Sequence, residues 1–207
     1  MFVITADQVD SRHRTDIVDE TQHELQGEFA EHLVLAVDRN AGDEVQALTA
    51  DAGAALGIVL ALDRGSAWSI GVGCGAIREP LPSSVRAATG QAFFAAREAV
   101  DAAKKRATRF AVRSGADAAA GQASDIEAMI DLLLTVRSRR STAGWELYDL
   151  LADGMTQRDA AARLGISEPA VSSRARAAGI HPEAAAVPAL TRLLQDLDHR
   201  SAEGDGA

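Results

Sequence analysis

The stretch TQRDAAARLGISEPAVSSRARAA, residues 156–178, decides how the C-terminal third of this chain folds. Thr156 precedes a helical run and has an acid three residues later, an arrangement that caps a helix N-terminus. Gly165 tolerates the left-handed backbone that ends a helix, and Ser167, followed by Pro169, caps a second helix. The spacing predicts two helices joined by a three-residue turn, which is the pattern of a helix-turn-helix that reads duplex DNA.

The second predicted helix has one apolar face and one polar face. Val171, Ala175 and Ala178 recur at helical spacing and are expected to be buried. The opposite face carries groups that can reach base edges or phosphates from a major groove. Together with the two helix starts, that face gives the predicted DNA-contacting residues Thr156, Gln157, Ser167, Glu168, Pro169, Ser172, Ser173, Arg174 and Arg176. The alternative interpretation is an ordinary pair of surface helices.

The same stretch resembles the helix-turn-helix of bacterial regulators and of sigma-factor-like domains. Such proteins usually bind palindromic sites as two-fold dimers. Double-stranded DNA and a second copy of this chain, forming a homodimer, are therefore the expected partners. A further helix is predicted over residues 183–198, and its apolar stripe either packs on the body of the protein or pairs two subunits. The stripe consists of Ala186, Leu190, Leu193 and Leu197.

Charge is distributed unevenly along the chain. The formal net charge of −9 over 207 residues argues against indiscriminate binding to nucleic acid. Residues 137–181 contain seven arginines and five acids, whereas residues 1–136 contain 12 basic and 20 acidic side chains. A mildly basic module thus follows an acidic one, as expected if only the second faces phosphates. Arg137, Arg139 and Arg140 either contact a phosphate backbone or form a solvated helix end.

The sequence contains a single cysteine, Cys74, so no disulfide can form within the chain, which suits a reducing cytosol. Cys74 lies in an apolar, glycine-rich run, where an inert buried thiol is expected rather than a nucleophile. No segment is long and apolar enough to span a membrane. We therefore expect a cytoplasmic protein with no membrane partner.

Short apolar, β-branched runs alternate with helical patterns in the first part of the chain. The predicted strands cover residues 2–6, 33–37, 44–48, 68–76 and 108–114, and the predicted helices cover 16–32, 51–62 and 87–105. This order begins β-α-β-β-α-β and predicts a ferredoxin-like or palm topology. The predicted fold class is α+β, with a palm-like domain over 1–115, a linker over 116–123, an all-α helix-turn-helix domain over 124–200 and a disordered tail over 201–207.

Several features of the first domain resemble parts of known enzymes. NAGDEV, residues 40–45, resembles the hairpin of GGDEF-type diguanylate cyclases, with Ala41 in place of the first glycine. SIGVGCG, residues 69–75, resembles the strand that follows that hairpin. AREAVDAAK, residues 96–104, matches the cyclase helix that ends in a phosphate-binding lysine. Asp7 ends the first strand, where palm-fold cyclases and polymerases place a metal-binding aspartate.

This resemblance implies a magnesium and nucleotide site. Lys104 would bind phosphates, and Asp7 with Asp43 or Glu44 would hold Mg²⁺, which prefers carboxylate oxygens. Each element also has an ordinary interpretation: the hairpin as a turn, the acids as solvated groups, the lysine as a partner of the helix dipole. The arginine motif that precedes the hairpin in product-inhibited cyclases is missing, and no guanine-reading asparagine can be assigned. These departures argue against turnover, so no catalytic residue is assigned.

The whole chain, from FVITADQVDSR at residues 2–12 through the helix-turn-helix, resembles the SatD family of small bacterial proteins. The resemblance implies the two-domain architecture and says little about any reaction. Our leading interpretation is a dimeric transcriptional regulator whose N-terminal domain senses a ligand, such as a nucleotide, or serves dimerisation. One alternative is a magnesium-dependent nucleotide cyclase or related phosphoryl-transfer enzyme. Another is an adaptor whose helix-turn-helix meets protein.

Overall fold

The computed structural model describes residues 1–40 and 42–203. These residues form a mixed α+β protein with two compact units. One unit comprises Met1–Asp131 and the C-terminal segment from Leu190, and the other comprises Leu132–Ala189. Among the residues described, no helix has both the length and the apolar character needed to cross a lipid bilayer.

A five-stranded sheet forms the centre of the first unit. Its strands are β1 (Phe2–Gln8), β2 (Leu33–Asn40), β3 (Glu44–Thr49), β4 (Trp68–Cys74) and β5 (Phe110–Ser114). Their order across the sheet is β2-β3-β1-β4-β5; β4 and β5 are parallel, and the other neighbours are antiparallel. Consecutive side chains of the central strand, such as Val3 and Ile4, are both buried. Because they point to opposite faces, both faces of the sheet are covered.

One helix approaches the sheet unusually closely. The helices of this unit are α1 (Val18–Phe29), α2 (Ala52–Asp63), α3 (Gln91–Ala103), the first part of α4 (Ala120–Ser138) and the last part of α8 (Ile180–Glu203). A Cβ atom added to Gly71 would lie 2.2 Å from the backbone nitrogen of Val100 in α3. One added to Gly73 would lie 2.1 Å from the carbonyl oxygen of Ala92. Glycine is therefore required at both positions of β4, since any side chain would push α3 away.

The stretch 116–123, predicted to be a linker, forms regular helical structure instead. It contains a 3-10 turn at Asp117–Ala119 and the first residues of α4. Ala123 is buried, and one turn later the carboxylate of Glu127 accepts the backbone N–H of Val112 at 2.9 Å. The small-residue composition indicated a loop, but these small residues instead let α4 begin early against the rest of the unit.

The apolar stripe of the last helix, α8 (Ile180–Glu203), packs within the protein. Leu190 and Leu197 are buried, and Leu193 is 37% exposed. Of the two alternatives for this stripe, packing on the body therefore holds for Leu190 and Leu197.

The end of α8 replaces part of the predicted disordered tail. Residues 201–203 are helical, and the buried hydroxyl of Ser201 lies 2.9 Å from that of Ser114. This side-chain contact joins residues far apart in sequence, so composition alone did not reveal it. Residues 204–207, the rest of the predicted tail, lie outside the described residues, as does Ala41 in the hairpin.

The second unit is helical. It consists of the end of α4, α5 (Thr142–Ala152), α6 (Gln157–Leu164), α7 (Glu168–Ala177) and the start of α8. Its core contains small residues, which let the helices cross closely. The buried core residues are Leu147, Ala160, Ala161, Val171, Ala175, Ala178 and Ile180.

The two helices predicted for residues 156–178 are confirmed, with the predicted caps. The hydroxyl of Thr156 accepts the backbone N–H of Asp159 at 3.2 Å, and that of Ser167 accepts the N–H of Ala170 at 3.4 Å. Gly165 ends α6 with a φ angle of +66°, in the left-handed region that favours glycine. Local sequence chemistry therefore sets both ends of the turn between α6 and α7.

Candidate functional site

Rows of polar side chains cross the sheet of the first unit at one end. The first row consists of Asn40, Glu44, Asp7 and Ser69, directly opposite one another on β2, β3, β1 and β4. The second row consists of Asp38, Gln46 and Thr5. Directly opposite residues of antiparallel strands share a face, so these seven side chains form one surface, which we call the polar face.

Much of the polar face is buried. Glu44, Gln46, Thr5 and Ser69 are all buried, and the Gln46 amide donates to the hydroxyl of Thr5 at 3.2 Å. Burying polar groups costs free energy unless each finds a partner. A layer of buried polar and ionisable groups in a sheet is therefore a candidate functional site.

Helix α3 covers the polar face because Gly71, which contacts α3, lies opposite Thr5 in the sheet. Its close approach places two cations over the carboxylates. The Lys104 Nζ atom lies 2.9 Å from Oδ2 of Asp7, and the Arg97 Nη1 atom lies 3.0 Å from Oε2 of Glu44. Because Gly71 and Gly73 of β4 have no side chain, α3 lies close enough to the sheet for this site to form.

The carboxylates beside Lys104 stabilise its charged form. Burial works to lower the pKa of Lys104, but its hydrogen bond to Asp7 and the nearby carboxylates outweigh this and raise that pKa. On the other side, Asn40 donates its amide N–H to Oε1 of Glu44 at 2.7 Å. Both oxygens of Glu44 are therefore held, by Asn40 and by Arg97.

The structure brings together Asp7, Glu44 and Lys104 of the predicted magnesium and nucleotide site. Asp43 is directed elsewhere: its carboxylate accepts the Ser11 hydroxyl at 2.5 Å. In the described part of the chain, no group of three or more His, Cys, Asp or Glu side chains is arranged to hold a metal ion. Two carboxylates nevertheless fit a Mg²⁺ ion that arrives with phosphates, since Mg²⁺ commonly takes one or two protein carboxylates and completes its shell from phosphate and water.

The second candidate surface is the outer side of α6 and α7. Of the predicted DNA-contacting residues, the exposed ones are Thr156, Ser167, Glu168, Pro169, Ser173 and Arg176. Pro169, Ser173 and Arg176 follow one another at helical spacing, so they share one face of α7. That face opposes the buried Val171 and Ala175.

The remaining predicted DNA contacts are half-buried. The amide of Gln157 lies 3.3 Å from the ring of His181, and Arg174 Nη1 lies 3.5 Å from a carboxylate oxygen of Glu146. Ser172 is half-buried as well. The polar surface of α7 that faces solvent without such partners is therefore narrower than the sequence indicated.

Two arginines considered for phosphate contact lie inside the second unit. Arg137 and Arg140 are buried, and both pair with the buried carboxylate of Glu183. Arg140 also donates to the carbonyl of Ala178 at 2.9 Å, and its guanidinium lies 4.3 Å from the ring centroid of Trp145. Both earlier interpretations, phosphate contact and solvated helix end, are wrong for these two residues. Helix periodicity does not reveal a buried ion pair because the partner is far away in sequence.

Sequence reasoning missed Asn40 and Gln46 of the polar face, and it missed Arg97 of α3, which contacts this face at Glu44. The sequence does contain a signal, because polar residues alternate with apolar ones along two strands. The polar residues are Thr5 and Asp7 in β1, and Glu44 and Gln46 in β3. Such alternation ordinarily indicates a sheet face exposed to solvent, so it did not predict a buried site.

No family model, curated protein or solved structure matches this chain.

Proposed function

We propose that this protein is a DNA-binding transcriptional regulator that reads duplex DNA through α6 and α7 as a helix-turn-helix. The observation that carries the proposal is the exposed face of α7, with Pro169, Ser173 and Arg176 in line. A major groove admits one α-helix, and arginine is the commonest side chain to hydrogen-bond guanine there. The hydroxyl of Ser167 caps the start of α7, and the N-terminal residues of a recognition helix are the ones that contact base edges.

The packing of the second unit supports this proposal. A recognition helix must be held rigidly, and α7 is fixed by buried Val171 and Ala175 along its length. At its C-terminal end, the carbonyl of Ala178 is held by Arg140. The exposed residues of α7 therefore need little ordering when they meet a groove.

Charge sets the expected mode of binding. Residues 132–189 contain seven basic and six acidic side chains, so non-specific attraction to phosphates is weak. We propose a cytoplasmic homodimer that places two copies of α7 on one palindromic site. The first unit, which we place in the ferredoxin-like or palm class on its β2-β3-β1-β4 order, would sense a ligand or serve dimerisation. The resemblance of the sequence to the SatD family implies the same two-domain architecture.

The test is selection of bound duplexes from a random pool with the full chain, followed by affinity measurements on the selected site. The double variant Ser173→Ala with Arg176→Ala should lose at least about tenfold in affinity, as expected for base contacts. Arg192→Ala, an exposed arginine of the other unit, is the charge-matched control and should bind as wild type does. Equal affinity of the double variant and the control would exclude α7 as the reading helix.

A second candidate function is binding of a nucleoside triphosphate with Mg²⁺ at the polar face. The observation that favours it is the pairing of Asp7 and Glu44 with Lys104 and Arg97. The two cations would take phosphate oxygens, and the two carboxylates would hold the metal. Bound Mg²⁺ supplies charge neutralisation between phosphate groups.

Calorimetric titration of the full chain with GTP and ATP in Mg²⁺ tests this second function. Lys104→Ala should abolish binding, whereas Lys105→Ala, the exposed neighbour, should not. Mass spectrometry of the incubated nucleotides distinguishes a ligand site from a cyclase, and Asp7→Asn should abolish any product. Unchanged nucleotide affinity in Lys104→Ala would remove the polar face as the nucleotide site.

A further inference from the structure

We propose that Arg97 and Lys104 block the binding of free divalent cations to the carboxylates of Asp7 and Glu44. Metal and polyphosphate then bind the polar face only together, as one complex. This inference rests on the second candidate function. It adds a coupling between two ligands and gives Arg97, which the cyclase resemblance does not assign, a defined role.

The carboxylate pair has the geometry to share an ion. Asp7 and Glu44 lie directly opposite each other on β1 and β3. Side chains in that relation start about 5 Å apart at their Cβ atoms, so both can reach one cation. Asn40 holds Oε1 of Glu44, which fixes the direction of that carboxylate.

Each carboxylate is already neutralised by a cation from α3. Lys104 contacts Asp7 at 2.9 Å and Arg97 contacts Glu44 at 3.0 Å. A metal ion arriving alone must displace both cations and leave them beside its own charge. Polyphosphate arriving alone would be drawn to the cations but would meet two uncompensated carboxylates. Either ligand by itself is therefore disfavoured by like-charge repulsion.

The complex of metal and polyphosphate removes both penalties. Phosphate oxygens accept hydrogen bonds from guanidinium and ammonium groups, so they can take Arg97 and Lys104 away from the carboxylates. The released carboxylates of Asp7 and Glu44 would then be free to hold the metal, which would neutralise charge on the phosphates. In this complex each carboxylate faces the metal and each cation of α3 faces phosphate oxygens, so like charges are not left in direct contact.

The exchange requires side-chain motion only. Arg97 is 54% exposed, whereas Glu44 is only 3% exposed, so the arginine is the partner that can turn away. Lys104 is 38% exposed and can do the same. Gly71 and Gly73 let α3 pack directly on β4, and this exchange requires no movement of the α3 backbone. Arg97 is therefore a positioning residue that sets whether Glu44 is available.

The experiment uses the full chain and two probes, Mn²⁺ and inorganic tripolyphosphate. Binding of Mn²⁺ alone is followed by the electron paramagnetic resonance signal of free Mn²⁺. Binding of tripolyphosphate is followed by calorimetry with either excess Mg²⁺ or EDTA. Wild type should bind tripolyphosphate at least about tenfold more tightly with Mg²⁺, a factor within the usual range of coupling between sites. It should bind Mn²⁺ alone weakly.

Arg97→Met should bind Mn²⁺ alone at least about fivefold more tightly than wild type and should lose most of the coupling. Arg97→Lys keeps the charge and should restore wild-type behaviour in part, which separates the effect from misfolding. Arg86→Met is the matched control, because Arg86 is also exposed and contacts Asp38 of the polar face, at 3.4 Å, but not Glu44.

Two results would overturn the inference in distinguishable ways. Equal Mn²⁺ affinity in wild type and Arg97→Met, or tripolyphosphate affinity that does not depend on Mg²⁺, would remove the coupling and leave the nucleotide site standing. No binding of tripolyphosphate by wild type in either condition would remove both.

Discussion

Asp7 and Lys104 form an ion pair, with Oδ2 of Asp7 2.9 Å from Nζ of Lys104, at the meeting point of β1 and the end of α3. Nearly half the chain separates the two residues in sequence. They meet because β1 is the central strand of the sheet and α3 packs closely on the neighbouring strand, β4. The pair therefore depends on the packing of α3 as much as on its own chemistry.

That packing gives the first prediction. Gly71→Ala should lower the free energy of unfolding by about 1–3 kcal/mol or more, because the new methyl group would lie 2.2 Å from the Val100 nitrogen. Gly27→Ala in α1 is the control, since a Cβ atom there meets nothing within 4 Å. It should be neutral or stabilising by up to about 1 kcal/mol. Urea unfolding measures both, and equal values would show that α3 does not need this glycine.

The buried ion pairs of the second unit give the second prediction. Glu183→Gln leaves Arg137 and Arg140 buried without their shared carboxylate and should cost about 3–5 kcal/mol. Glu146→Gln removes the exposed partner of Arg174 and should cost less than about 1 kcal/mol. Denaturant unfolding compares the two variants. A small effect for Glu183→Gln would mean that the buried pairs contribute little to the unit.

The third prediction concerns acid stability. The carboxylate of Asp51 caps the N-terminus of α2. The hydrogen bond from the backbone N–H of Ala54 is the largest cause that lowers the pKa of Asp51, and burial opposes it. The N–H of Gly53 and the contact with His32 lower this pKa further. Because the folded pKa lies below the unfolded value, the contribution of Asp51 is present above about pH 4 and is lost as pH falls through the folded pKa. Asp51→Asn keeps a capping oxygen that does not titrate.

The measurement is urea unfolding of wild type and Asp51→Asn at about pH 6 and about pH 2.5. The wild type should lose more stability than Asp51→Asn on going to the lower pH. Equal losses of unfolding free energy in the two proteins would show that the Asp51 carboxylate does not contribute to the loss of stability in acid.

The fourth prediction concerns the only cysteine. Burial, followed by the charge of Asp198, raises the pKa of Cys74 to about 12, while the Ser201 hydroxyl opposes the shift. The thiolate is the reactive form, so native protein at about pH 8 should react with Ellman's reagent far more slowly than protein in urea. Because the chain has one cysteine, the absorbance change reports Cys74 alone. Labelling of native protein as fast as that of unfolded protein would contradict the burial of the Cys74 thiol.

The sequence by itself determined the local structure well. Caps, glycines and apolar spacing are short-range signals, and they placed α6, α7 and every strand within a few residues of their positions. Where these local signals are weak, the predicted helix boundaries were wrong by a few residues. Residues 120–123 begin α4 instead of ending a linker, and α8 begins three residues earlier than expected. A proline in the first turn of a helix is tolerated, so Pro182 did not mark the boundary.

Tertiary structure alone decided which charged groups meet. Arg137 and Arg140 look like surface cations in sequence, yet Glu183 draws them into a buried cluster. Nothing in the sequence around Arg97 indicates a partner, yet strand register and the absence of side chains at Gly71 and Gly73 place it over Glu44. The physical reason is that helix and strand formation depend on near neighbours. Ion pairing in a low-dielectric interior depends on distances that only the packed chain sets.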